Sequence, residues 1–176
     1  MTDDVWNLVA AERRQLVSVL EQLQPAEWNQ PSLCSGWRVR DVVAHLILES
    51  HYSLLRDAPA LLRSGLSFNR FMARAARRLG RQDPAHLMSR LAADVTARAT
   101  PIGIRPVWVL ADLLIHTQDI AIPLGRKISM KPAALAMVLA AWQPQGFELG
   151  LALSGVGRRT RGLQLRATDM PAWSLG

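Results

Sequence analysis

The sequence predicts a mainly α protein: an up-and-down four-helix bundle with short additional helices and a small β-like tail at the C-terminus. Three observations carry that reading. Apolar residues recur at three- and four-residue spacing through most of residues 1–145. Proline and glycine cut this pattern into helix-length pieces. Beyond Gly146 the helical period gives way to glycine-interrupted, alternating runs.

The first main helix is expected over residues 4–24. Asp3 or Asp4 caps it, Trp6, Leu8, Val9, Leu16, Val17 and Leu20 form its apolar stripe, and Pro25 ends it. The linker from Trp28 to Trp37 is polar but carries two tryptophans, which are expected to pin it against the bundle. The second main helix is expected over 38–56. Asp41 stands in its first turn, where a carboxylate is favourable, and Val42, Val43, Leu46 and Ile47 are its core positions. His45 lies beside them and Glu49 is one turn further on. Pro59 and Gly65 are read as interruptions.

A shorter helix is expected within 67–80, ending at Gly80. Asp83 and Pro84 cap and open the third main helix, 84–100, with Leu87, Met88, Leu91 and Val95 facing the core. The fourth main helix, 106–122, is stopped by Pro123-Leu124-Gly125. Another short helix is expected within 132–143. In the tail, Leu163 to Thr168 alternates like a strand, and residues 172–175 read as another short one. Residues 1–145 are thus expected as one helical domain, and 146–176 as a short extension or a truncated second domain.

Composition narrows the class. A chain of 176 residues suits one domain, and 49% hydrophobic residues suffice for a sizeable core. The formal net charge is +7, and 19 of the 21 basic residues are arginine. Residues 1–60 hold eight acidic and five basic residues, so the positive excess lies later in the chain. Such a surface attracts anions. Yet there is no zinc-finger spacing, RNA-binding sheet motif or recognition helix, so nucleic acid is not an expected partner. One cysteine, Cys34, allows no internal disulfide. No apolar run reaches the ~20 residues needed to span a bilayer, and the acidic N-terminus is unlike a secretory signal. A cytoplasmic protein without a membrane partner is expected.

The chemistry is concentrated in Asp112 to Asp119, inside the apolar run Val107–Ile120. Asp112 and His116 are four apart and share a helix face. Asp119 follows three residues later and either orients a ligand or caps the helix end. Ionisable groups in an apolar helix are costly unless paired or metal-bound. His45, in another apolar helix, is the third partner. Two imidazoles and one carboxylate with open positions recur in catalytic metal sites, and a bundle lets facing helices supply them. The same spacing also suits an ordinary buried histidine with one hydrogen bond. His51 is six residues from His45 and is expected at the surface or rim, and His86 is expected to be exposed. Cys34 precedes a helix, whose N-terminus could acidify it; an unremarkable loop cysteine is the plainer reading.

Leu33-Cys34-Ser35-Gly36-Trp37-Arg38-Val39-Arg40-Asp41-Val42-Val43-Ala44-His45-Leu46 resembles the first signature of the mycothiol-dependent maleylpyruvate isomerase N-terminal family, within the DinB-like superfamily of metal-binding four-helix bundles. Asp112 to Arg126 resembles the second signature. Gly162 to Asp169, with Trp173, is similar to the strand that follows the bundle in many members. The resemblance implies a DinB-like bundle with His45, Asp112 and His116 as ligands of a divalent metal, Zn²⁺ being the expected ion. Many relatives carry Glu where this chain has the shorter Asp112. It further implies mycothiol as a thiol cosubstrate, acidified by the metal. The expected function is a metal-dependent isomerase or thiol transferase acting on a small-molecule thiol and an electrophilic or anionic substrate. Arg74, Arg77 and Arg105 are candidates for holding an anionic group. The alternative is a non-catalytic DinB-like protein that binds metal or forms a homodimer. A third reading, a DNA-damage-associated binding protein, would be favoured by a contiguous basic stripe away from the metal residues.

Overall fold

The structure, a computed structural model, describes residues 2–100, 104–141, 165–166 and 174–175. The helices among them are, in chain order, α1 (Thr2–Leu20), α2 (Val39–His51), α3 (Leu54–Arg63), α4 (Phe68–Leu79), α5 (Pro84–Ala93), α6 (Pro106–Ala121) and α7 (Pro132–Ala141). A 3₁₀ turn, Glu27–Asn29, lies between α1 and α2. Two short strands, β1 (Leu165–Arg166) and β2 (Ser174–Leu175), pair antiparallel with Leu165 opposite Leu175. The mainly helical bundle predicted from the sequence is present.

The apolar spacing explains which faces turn inward. On α2, Val39, Val42, Val43, Leu46 and Ile47 follow the helical period and are buried. α6 is apolar nearly all round: Val107, Val109, Leu110, Leu113, Leu114 and Ile120 are all buried. A helix of that kind belongs in the interior, so its ionisable residues stand out. The principal contacts close a ring in which α1 and α2 each pack against both α5 and α6. Val9, Leu16 and Leu20 of α1 meet Leu87 and Leu91 of α5 in the same core. α4 packs on α2, and α7 lies against α6 and α1.

Helix ends follow local chemistry. Asp83 Oδ1 accepts the Ala85 N–H at 2.8 Å, and Pro84 occupies the first helical position of α5. Asp83 is exposed, so its removal leaves no cavity. Asp83→Ala is expected to cost about 1 kcal/mol, read by urea unfolding; no change would deny the cap any part in stability. Gly80 closes α4 for a different reason: a Cβ there would collide with the Asp41 carboxylate and stand 3.0 Å from the Ala76 carbonyl. Asp41 is buried in the first turn of α2, where Arg38 Nη2 donates to Oδ1 at 3.0 Å and Arg38 Nε to Oδ2 at 3.0 Å.

Three expected boundaries are corrected. α1 stops at Leu20 rather than residue 24, and turns carry the buried Leu23 inward. The second main helix ends at His51, not residue 56. Tyr52 turns extended (φ −61°, ψ 132°), and its ring packs 5.4 Å from Phe68 and 6.0 Å from Phe71. Asp57 Oδ2 then accepts the Ser53 N–H at 2.9 Å and helps start α3. Pro59 lies inside α3 instead of interrupting it; the bond it forgoes is to the carbonyl of Leu55, a residue 91% exposed and open to water. α5 ends at Ala93 rather than residue 100, because buried Arg13 takes the carbonyls just beyond it: Nη1 donates to Asp94 O and Ala97 O, both at 2.8 Å.

The other expected ends agree to within two residues, α6 being 106–121 and α7 132–141. The proposed division at 145/146 and most of the tail lie outside the described residues. No described helix is long and apolar enough to cross a membrane.

Candidate metal centre

α2 and α6 pack together, and the ionisable residues of α6 meet His45 of α2 there. His45 Nε2 lies 3.0 Å from Asp112 Oδ2, and His116 Nε2 lies 3.5 Å from Asp112 Oδ1. The two imidazoles meet nearly edge to face, with centroids 4.8 Å apart. One donor atom from each residue falls within 4.8 Å of the others. The 3.0 Å approach is to one Asp112 oxygen and the 3.5 Å approach to the other, so the carboxylate faces both imidazoles, and two nitrogens with one carboxylate oxygen are ordinary zinc donors. The donor set and spacing therefore fit a divalent ion. The Asp112 side chain is 34% exposed against 14% for His45 and 15% for His116, so the carboxylate marks the open edge.

The linker before α2 supplies the surroundings. Pro31 and Arg38 form an antiparallel bridge. Between them the Ser32 N–H donates to Trp37 O at 2.9 Å and the Trp37 N–H to Cys34 O at 3.0 Å. Gly36 takes φ +74°, a left-handed conformation that favours glycine. The Leu33 N–H donates to Asp119 O at 3.1 Å and ties this turn to α6. Trp37, expected to pin the linker, also sets its ring 5.4 Å from His45 and 6.3 Å from His116.

Behind His116 stands a carboxylate. Asp119 Oδ2 lies 2.9 Å from His116 Nδ1, and Cys34 Sγ donates to the same oxygen at 3.1 Å. An ionised carboxylate only accepts, so Nδ1 carries the hydrogen and Nε2 is left to face Asp112. Cys34 Sγ is also 3.5 Å from Nδ1. Cys34, His116 and Asp119 form a second close group of possible metal donors, but it would use the nitrogen already bonded to Asp119. His45 lacks such support: its Nδ1 is buried without a hydrogen-bond partner among the described residues.

The groups around His116 act on one another's protonation. Burial disfavours its protonation, but hydrogen bonds to Asp119 and Cys34 and the charge of Asp112 outweigh that, and its pKa is pushed up to about 10. Burial would raise the Asp112 carboxyl; the charge and hydrogen bond of His45, with the charge of His116, hold it below the usual range. Asp119 is lowered against burial by its hydrogen bonds from His116 and Cys34. Glu49 is raised well above the ordinary carboxylate range by burial first and the charge of Asp112 next.

A pH dependence follows. Protonated His116 is favoured in the folded state, so its contribution is full below the unfolded value of about 6.5 and is lost as pH rises through about 10. Chelator-treated protein should lose unfolding free energy across that window, and His116→Gln should lose less. Identical pH profiles for the two would refute the assignment.

The remaining sequence candidates separate. His51 is exposed at the rim and pairs with Asp94 at 2.8 Å, and His86 is exposed. Arg74 is engaged by the carbonyl of Arg63 at 3.0 Å. Arg77 approaches the Gly36 turn, with Nη2 4.0 Å from where a Cβ would stand. Cys34, expected as an ordinary loop cysteine or one acidified by a helix N-terminus, lies instead against His116 and Asp119. The available signal was its place beside Trp37 in the stretch that leads into His45.

A family model for the mycothiol maleylpyruvate isomerase N-terminal domain matches residues 9–109. That span contains Cys34, Trp37 and His45 and stops just before Asp112. No curated protein and no solved structure gives a significant match. The matched span covers more than half of a chain that folds as a helical bundle, and the protein belongs to the mycothiol maleylpyruvate isomerase N-terminal domain family, within the DinB-like superfamily.

Proposed function

We propose that His45, Asp112 and His116 hold one divalent ion, Zn²⁺, in a metal-dependent enzyme of the mycothiol-dependent isomerase or thiol-transferase type. The observation that carries this reading is the convergence of the three donor groups, with His116 held from behind by Asp119. Bound Zn²⁺ supplies a Lewis acid that lowers the pKa of a low-molecular-weight thiol such as mycothiol.

The chain's residues do the rest. Asp112 balances part of the ion's charge at the solvent-facing edge, where a thiol can enter. Asp119 and Cys34 orient His116, while Trp37 packs beside both imidazoles and restricts the rings. Arg77, beside the Gly36 turn that leads into α2, is placed to attract an anionic substrate. Family membership supports the thiol assignment. A cytoplasmic location suits such a reaction because thiols stay reduced there.

Elemental analysis of wild type beside His45→Ala and Asp112→Asn tests the ligands, and calorimetric titration of mycothiol into zinc-loaded protein tests the chemistry. Stoichiometric zinc in wild type, reduced zinc in both variants and thiol binding only to the loaded form are expected. Equal metal content in all three would reject the ligand set. Zinc without thiol binding would keep the metal site and shift the assignment to a hydrolytic or non-enzymatic role.

A further inference from the structure

We infer that α3 and the turn leading into α4 form a docking surface for an anionic lipid bilayer. Leu55, Leu62 and Leu66 are 91%, 64% and 70% exposed. Pro59 is exposed between them. Positions 55, 59 and 62 follow helical spacing along one face of α3, and Leu66 stands exposed in the turn that follows. This is not the packing face: Ser64 is buried and Leu61 is partly covered, while the stripe faces solvent. Leu66 has φ 55°, a left-handed backbone that a leucine adopts at a cost. Neither backbone preference nor core packing explains a leucine there. Phe68, 38% exposed, adds an aromatic edge.

The charge around the stripe identifies its counterpart. Arg56 and Arg63 lie on α3, and Arg70 and Arg74 of α4 reach its C-terminal end, donating to Ser64 O and Arg63 O at 3.0 Å; the one acid among them is Asp57. Four minus one leaves +3 beside the stripe. Exposed leucines flanked by arginine are suited to a bilayer interface: the apolar groups enter the headgroup boundary and the cations meet anionic lipid. A second copy meeting this face across a twofold axis would set two such positive fields against each other. Nucleic acid would satisfy the arginines, but its phosphates give the leucines no apolar contact. The stripe stands on an outlying helix packed against α4, not in a groove that would receive a peptide. α3 has 10 residues, too few to span. It can lie on a membrane, which does not require a helix long enough to cross one. This surface is independent of the metal reading.

The test is co-sedimentation of the full chain with phosphatidylcholine vesicles, with and without phosphatidylglycerol, at physiological salt. Binding is expected only with phosphatidylglycerol and should weaken as salt rises. Leu55→Ser combined with Leu62→Ser should reduce partitioning at least about tenfold, and Arg63→Gln about fivefold. These side chains are exposed, and unchanged circular dichroism and urea unfolding would show intact variants. Absence of binding to anionic vesicles overturns the inference. So does binding that the double leucine variant leaves unchanged, which would be charge adsorption alone. Duplex DNA binding without vesicle binding would favour the nucleic-acid reading instead. A dimer that the double leucine variant dissociates, again without vesicle binding, would assign the stripe to a second copy.

Discussion

His116→Ala is expected to abolish stoichiometric zinc uptake, with apparent affinity falling by more than ~100-fold, the upper end for losing a supporting partner of a ligand. The variant removes the imidazole whose Nε2 lies 3.5 Å from Asp112 Oδ1. It also leaves the Asp119 carboxylate without its 2.9 Å hydrogen bond. Asp119→Asn should cost less, roughly 10–100-fold, because the ligand stays and only its orientation and basicity change. Cys34→Ala should cost less again, since Asp119 still holds Nδ1 when the 3.1 Å thiol donor is gone. Competition against a fluorescent chelator orders the three. If His116→Ala binds zinc within about tenfold of wild type, which is less than the loss expected for a supporting residue, His116 is not an inner ligand.

Arg13→Met is expected to destabilise the fold by about 3–5 kcal/mol, measured by urea unfolding of metal-free protein. Arg13 is only 3% exposed, yet its guanidinium makes three hydrogen bonds: to Asp94 O and Ala97 O at 2.8 Å and to Ser50 Oγ at 2.9 Å. Burial lowers its pKa, opposed by the nearby charges of Glu49 and Asp94. Methionine fills similar space but makes none of these three bonds, although Asp94 O keeps the Ala97 N–H at 3.0 Å, and it removes a positive charge near Glu49. Unmade hydrogen bonds at buried acceptors cost ~1–3 kcal/mol each. Arg13→Lys should recover only part of the loss, because an ammonium lacks the planar fork that reaches separate acceptors. A loss below about 1 kcal/mol for Arg13→Met would mean that water replaces the guanidinium without penalty.

Much of the helical framework was legible because it rests on local rules. Val39, Val42, Val43, Leu46 and Ile47 reveal the buried face of α2 by spacing alone. Pro106 and the Pro123–Gly125 stop bracket α6, and Asp83-Pro84 marks the start of α5. The ends that deviated were decided by partners distant in the chain or by ring packing. Arg13 takes carbonyls 81 and 84 residues away beyond α5. Tyr52 leaves α2 to pack with Phe68 and Phe71. Neither effect has a periodic signal.

The candidate site divides in the same way. That Asp112 and His116 share a face of an apolar helix follows from their spacing, because four residues make about one turn. His45 could be named from its apolar helix and the signature that contains it. That α2 lies beside α6, bringing His45 to within 3.0 Å of Asp112, is visible only in the folded chain. So is the approach of Cys34, carried by the Gly36 turn across 85 residues of sequence to Asp119. Helical periodicity states which way a side chain points from its own axis. It does not state which helix or loop stands opposite, since that choice depends on how all the apolar faces are buried together.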